Sequence, residues 1–261
     1  MRPILRGFAP QWHWMSMPES PELLIAICVY NEMENLPWLY EQLRALPLEL
    51  SIVVVDDNSP DGTGDWCDET AARDDGFFVI HREGKLGLGS ASLAAFRFAI
   101  ERDFRYVLMM DGDRSHAPSD VPDVHAKLLE DPENQIAIGS RYVPGGRIEN
   151  WPWMRHVMSR CINGFSRVMI GLPISDYSSA FRCYRVELLC RIDLKKVSAT
   201  GYAYLEELLW HAGKQGARIV EQPIVFVDRV KGSSKINHKE AIRAVWIVFR
   251  IGLSRLFGKN R

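Results

Sequence analysis

Leu108-Met109-Met110-Asp111-Gly112-Asp113 is a short apolar run that ends in two carboxylates separated by the smallest residue. An unbroken apolar run suits a strand buried on both faces, as in a parallel sheet. In open α/β sheets, ligands bind just beyond the carboxyl ends of the strands. Two aspartates delivered there offer hard oxygens through which a divalent cation could hold a diphosphate. Alone, the triplet also fits an ordinary acidic turn, so its weight comes from its neighbours along the chain.

The same design repeats. Leu23 to Val29 and Ser51 to Val55 are apolar runs of strand length, and Phe77 to Ile80 and Gln135 to Ile138 are further strand candidates. Between them, Asn31 to Leu46, Asp65 to Asp74, Ser90 to Arg102 and Val121 to Glu130 read as helices. This alternation predicts an α/β fold with a mostly parallel, Rossmann-like sheet flanked by helices. After Arg141 the order loosens. Trp153 to Ile170 and Leu205 to Ala212 read as helices, Phe181 to Tyr184 as an inserted strand, and Ile219 to Val227 as strand-like. The first four strands end in Tyr30-Asn31-Glu32, Asp56-Asp57, Gly84-Lys85-Leu86-Gly87-Leu88-Gly89 and Asp111-Gly112-Asp113. Four such ends along one sheet edge point to a nucleotide site.

The glycine loop is neither a Walker A motif, since Leu86 follows Lys85, nor a dinucleotide fingerprint, since Ser92 replaces the third glycine. It is either a turn before a helix or a device that brings Lys85 and a helix N-terminus to phosphate. The 261 residues, 47% hydrophobic and 25% charged with net charge -1, describe an ordinary globular chain with no overall field to attract nucleic acid. Five scattered cysteines, Cys28, Cys67, Cys161, Cys183 and Cys190, contain no C-x-x-C pair, which suits reduced thiols in the cytoplasm. Residues 1–22 read as an irregular extension. Their basic start lacks the apolar stretch of a signal peptide, because Pro10, Gln11 and His13 interrupt it.

Cys28-Val29-Tyr30-Asn31-Glu32-x-Glu34-Asn35-Leu36 resembles the opening of the inverting family-two glycosyltransferases of the GT-A fold. Val53 to Thr63, the glycine loop, Asp111-Gly112-Asp113-x-Ser115-His116-x-Pro118, Gly139 to Val143 and Phe226 to Arg229 narrow the resemblance. Together they are similar to the polyprenol-monophosphate (dolichyl-phosphate) mannosyltransferases, in unbroken order from about Leu23 to Lys235. The chain departs from that family's usual residues at Cys28-Val29 (Pro-Thr), Gly112 (Ala), Arg114 (Leu), Ala180 (Gly) and Leu205 (Gln). Arg114 would add a cation beside the carboxylate pair.

The resemblance implies transfer of a hexose, above all mannose, from a nucleoside-diphosphate sugar such as GDP-mannose to a polyprenyl or dolichyl phosphate, with Mg²⁺ or Mn²⁺. It assigns Tyr30, Glu32, Val55 and Asp57 to base and ribose, and Asp111, Gly112 and Asp113 to sugar and diphosphate. Asp113 and Ser115 become the metal ligands, and Arg229 and Lys235 reach the leaving diphosphate beside Lys85. Asp111, Asp113 and Arg229 form the catalytic set. Arg141, which also borders the donor, joins Arg155 and Ser159 in holding the lipid phosphate. Such a phosphate is anionic at neutral pH and needs no protein base. Glu206-Glu207 keeps open a second reading, a hydroxyl acceptor deprotonated by a carboxylate. A third is a nucleotide-sugar binder without activity.

Residues 23–238 are expected to form the transferase domain and 239–261 a basic amphipathic helix, with Lys239, Arg243 and Arg250 opposite Val245, Trp246, Val248 and Phe249. Its apolar stretch, Ala244 to Phe249, is far short of the roughly 20 residues of a spanning helix. The helix suits an anionic membrane surface, or packing on the domain with the membrane reached through an anchored partner. The expected location is peripheral, at the cytoplasmic face of a membrane.

Overall fold

Strand β1 (Leu23–Val29) is apolar throughout because both its faces are covered. Leu24 and Ala26 enter one core with Val53, Val55, Val107 and Met109. Leu23, Ile25 and Ile27 enter the opposite core with Ile52, Val54, Leu108 and Met110. The alternation of side chains across a strand thus feeds two cores from one apolar run. The computed structural model describes residues 22–199, 201–228 and 238–257, so residues 1–21 of the expected extension lie outside it.

After β1 come α1 (Leu36–Arg44), β2 (Leu50–Asp56), α2 (Thr63–Ala71), β3 (Phe77–His81), α3 (Leu88–Glu101) and β4 (Tyr106–Asp111). Then follow α4 (Val121–Leu129), β5 (Asn134–Ser140), β6 (Arg147–Glu149), α5 (Trp153–Ile170), β7 (Arg182–Arg185) and α6 (Val186–Arg191). The chain continues through α7 (Tyr204–Lys214), β8 (Arg218–Pro223), β9 (Val225–Val227) and α8 (His238–Phe257). The main sheet runs β3-β2-β1-β4-β7-β5-β8, with β7 antiparallel to β4 and β5 and the other pairings parallel. The chain builds outward from β1 to β3, then returns to lay β4 on the other side of β1. The strand order therefore reverses between β1 and β4, where Cys28 pairs with Asp111.

Two elements differ most from the sequence reading, and two short ones are absent from it. Helix α1 starts at Leu36 rather than Asn31, because side chains of a neighbouring loop hold the intervening backbone. The run from Ile219 to Val227 is two strands in different sheets: β9 leaves β8 after Pro223 and pairs with β6. Pro223 has no N–H with which to extend the ladder. Strand β6 and helix α6 are too short to carry a periodic signal.

The glycine loop is a packing device at its second half. A Cβ on Gly89 would lie 2.2 Å from the Ala199 carbonyl oxygen and 2.9 Å from Tyr204 Cβ. Gly89→Ala is expected to separate α3 from the segment before α7 and to cost about 1–3 kcal/mol in urea unfolding. An unchanged midpoint would contradict this packing.

Candidate active site

At the β1/β4 reversal lies an open cleft lined by Cys28 to Tyr30, Glu32, Asp57, Lys85, Gly87, Leu88, Ala91, Asp111 to Asp113, Gly201 and Tyr202. All four strand ends singled out in the sequence contribute to it. The Lys85 ammonium stands 4.9 Å from the centre of the Tyr30 ring, a cation–π contact. Burial pushes the Cys28 thiol up to about 12, so it lines the cleft as an un-ionised group and not as a nucleophile.

The acidic loop after β2 holds the loop after β1. Ser59 Oγ accepts the Asn31 N–H at 2.9 Å, Thr63 Oγ1 the Glu32 N–H at 3.2 Å, and Asp61 the Met33 N–H at 3.1 Å. Burial opposes ionisation of Asp61, but hydrogen bonds from Thr63 and the Met33 N–H outweigh it and hold the carboxyl below its usual range. Asn31 adopts φ +60°, a conformation asparagine tolerates. Glu32 is thereby presented to the cleft. Sequence reasoning missed Ser59, Asp61 and Thr63 as supports, although their Asx-turn chemistry was visible.

The carboxylate pair offers a partial shell for a cation. Asp113 Oδ1 accepts the Ser115 N–H at 3.0 Å, and Ser115 Oγ is buried with no partner among the described residues. Among the described residues, no group of three or more His, Cys, Asp or Glu side chains forms a complete metal site. Two hard oxygen donors with open positions suit an ion that keeps water and diphosphate oxygens as its other ligands. His116 Nδ1 accepts the Asp111 N–H at 3.2 Å, and burial lowers this imidazole to about 4. The ring is therefore neutral and braces the strand end, stacked on Phe181.

The structure separates other expected residues from the cleft. Val55 is wholly buried in the core, because successive β2 side chains alternate between the two cores, and it does not line the cleft. Arg141 is buried and forked onto Asp176, with both contacts at 2.7 Å, and bonds Ser178 Oγ. Its charge is thus matched inside the protein. Arg155 pairs with Asp228 at 2.8 Å and covers the Trp151 ring at 4.1 Å. Ser159 Oγ accepts the Tyr142 hydroxyl at 2.7 Å. Arg229 and Lys235 lie outside the described residues. Just before them, the Val227 N–H donates to the Ser115 carbonyl.

Arg114 is turned to other partners. It bonds the Glu34 carbonyl at 2.6 Å and stacks 4.7 Å from the Trp38 ring centre. Gly112 answers a neighbour: its Cβ would meet Val29 Cγ1 at 2.9 Å. The glycine therefore makes room for Val29. Neither Glu206 nor Glu207 lines the cleft. Glu207 accepts the N–H groups of Ser198 and Ala199, each at 2.8 Å. Burial raises Glu206 to about 7, with the Arg182 charge opposing.

A family model described as glycosyl transferase family 2 matches residues 24–192. The chain is 42% identical over 233 residues to the polyprenol monophosphomannose synthase of Mycolicibacterium smegmatis, spanning 88% of this chain and 86% of that protein. It is 41% identical over 233 residues to the undecaprenyl-phosphate mannosyltransferase of Micrococcus luteus, spanning 89% and 94%. Among solved structures, glucosyl-3-phosphoglycerate synthase from Mycobacterium tuberculosis, in complex with Mn²⁺, UDP and phosphoglyceric acid, matches with TM-score 0.64 at 16% identity, over 92% of this chain and 80% of that one. This likeness is one of fold, the GT-A architecture.

Glu206 carries a prediction about pH. An acid whose folded value, about 7, lies above the ordinary range of a free glutamate favours folding fully below that ordinary range and loses that contribution as pH rises through the folded value. Glu206→Gln is expected to stabilise the protein at pH 8 by roughly 1–3 kcal/mol, with little change at pH 4. Denaturant unfolding at the two pH values measures the difference, and equal effects would contradict the buried-acid account.

Proposed function

The chain belongs to glycosyl transferase family 2, and we propose that this glycosyltransferase moves mannose from GDP-mannose to the phosphate of a polyprenyl lipid, with inversion. The observation that carries this reading is the gathering of Tyr30, Glu32, Asp57, Lys85, Asp111 and Asp113 around one cleft at the strand reversal. The mannosyltransferase names of the two relatives supply the sugar and the lipid phosphate.

In this reading Tyr30, Glu32 and Asp57 hold the nucleoside, and Asp111 the sugar. Asp113 and Ser115 would hold Mg²⁺ or Mn²⁺, which when bound offsets charge on the departing diphosphate. Arg229 and Lys235 follow Asp228 in the sequence and would supply cations for the leaving diphosphate. A lipid phosphate oxygen forms a bond to the anomeric carbon as the bond to the nucleoside diphosphate breaks from the opposite face. No protein base is required, and the two glutamates of α7 lie away from the cleft, which favours a phosphate over a hydroxyl acceptor. Arg155, half exposed, is the cation that can exchange Asp228 for the lipid phosphate, with Ser159 one turn further along α5. Arg141, held by Asp176, shapes the wall between them.

The lipid is met at a surface. Among the described residues no helix is long and apolar enough to cross a membrane. Helix α5 is nevertheless inverted: Asn163 and Ser166 face inward, while Trp153 is 70% exposed beside Met154, Val157, Met158 and Ile162. Helix α8 packs along α5, buries Val248 and Ile251, and exposes Val245, Trp246, Phe249 and Leu253. Val248 thus belongs to the packed face and not to the apolar outer one. Lys239 and Arg243 lie outside the described side chains, and Arg250 contacts Glu207. This shared apolar face fits the interfacial layer of a membrane.

Two experiments test these claims. Transfer of label from GDP-mannose to polyprenyl phosphate with Mg²⁺ or Mn²⁺ is expected to fall at least about 100-fold in Asp113→Ala. Near-normal turnover would reject its role, and a donor panel that prefers another sugar would reject mannose. Co-sedimentation with anionic liposomes is expected to fall strongly in Trp153→Glu with Trp246→Glu; binding equal to the natural chain would reject the membrane face.

A further inference from the structure

We infer that Arg82 is a positioning residue of the donor cleft, fixing the Asp57 carboxylate and locking it to the glycine loop. The inference rests on the nucleotide reading of the cleft and adds to it a residue outside the cleft's lining. Arg82 directly follows β3 and is nearly buried. Its Nη1 donates to Asp57 Oδ1 at 2.5 Å, and its Nη2 donates to Ser90 Oγ at 2.6 Å. Ser90 Oγ in turn sits 2.8 Å from the Gly87 carbonyl and 3.0 Å from that of Leu86, with its one proton to give. A single guanidinium thus ties the end of β2 to the first turn of α3. The loop so anchored carries Lys85, which rests on Tyr30.

The chemistry demands such a brace. Burial drives the Asp57 carboxyl toward its neutral form, and Arg82 opposes this by charge and hydrogen bonding; Asp56 adds to the upward push and Lys85 to the downward one. Without a partner, a buried carboxylate shifts its pKa and neutralises. Only the planar fork of arginine reaches two acceptors in fixed geometry, which a lysine cannot do. Asp57 Oδ2 takes no hydrogen bond from the described residues, so one oxygen is fixed and the other is open to a ribose hydroxyl or a base N–H.

The test is calorimetric titration of GDP and UDP with Mg²⁺ into the full chain and into Arg82→Ala, Arg82→Lys and Ser90→Ala, between pH 5 and 8. Arg82→Ala is expected to weaken the preferred nucleotide about tenfold or more. Its affinity should also begin to fall at a higher pH on acidification, because an unbraced Asp57 takes a proton sooner. Arg82→Lys should restore the pH at which affinity falls but not the affinity itself. Ser90→Ala should weaken binding severalfold with that pH unmoved. A purely structural arginine would lower thermal stability without moving the pH profile. Unchanged affinity and profile in Arg82→Ala, or full recovery of both in Arg82→Lys, would overturn the inference. If Arg82→Ala does not fold, Arg82→Lys and Ser90→Ala decide it by the same outcomes. A natural chain that binds neither nucleotide would overturn the cleft's nucleotide reading, and the inference with it.

Discussion

The pairing of β1 with β4, with Cys28 opposite Asp111, is the constraint on which the rest of the structure depends. Consecutive crossovers carry the chain away from β1 in one direction and then in the other. The loops that leave these two strands must therefore diverge, and divergence opens a cleft. Both strands are apolar on both faces, so a one-residue slip would exchange the two cores. Register and cleft are therefore set by the same hydrophobic packing. That is why Tyr30 and Asp111, 81 positions apart in sequence, line one wall.

Around this frame several charged and polar groups support one another. Asp61 with Ser59 and Thr63 carries the backbone before Glu32, Arg82 carries Asp57, and Asp176 carries Arg141. The first two pairings hold a cleft carboxylate in place, and the third takes a side chain that the sequence offers as a ligand-binding group and makes it a support. The residues left to meet a ligand are fewer and better oriented, the condition under which preorganised charge is most effective. The departures from the family pattern follow similar logic. Gly112 accommodates Val29, and Arg114 closes over Trp38.

Helix α5 shows the opposite economy. Beside Ile170, its inner face carries the polar Asn163 and Ser166, and Asn163 accepts the Tyr177 N–H and contacts Ser159 and Ser178, while Trp153, Met154, Val157, Met158 and Ile162 point outward. A helix packed only for stability would reverse this arrangement. Helix α8 packs along α5 and exposes apolar residues of its own.

The strands, their order of polar ends and the helices after them were legible in sequence, because burial on both faces leaves unbroken apolar runs and ligand-facing turns leave Asp, Asn and Gly. From those signals came the α/β class and the cleft residues Tyr30, Glu32, Asp57, Lys85, Asp111 and Asp113. The partner of each charged side chain was not legible. Arg141 with Asp176, Arg82 with Asp57 and Glu207 with Ser198 are contacts between distant segments, and only the packed sheet decides which carboxylate a guanidinium meets. The same holds for Gly89 and Gly112, whose need for a missing Cβ arises from a backbone carbonyl and a valine brought close by tertiary packing. Sequence by itself determined the periodic burial and therefore the fold and the site's location. Tertiary structure alone decided which of the site's charges remain available to a ligand, because desolvation and pairing depend on neighbours that are remote along the chain.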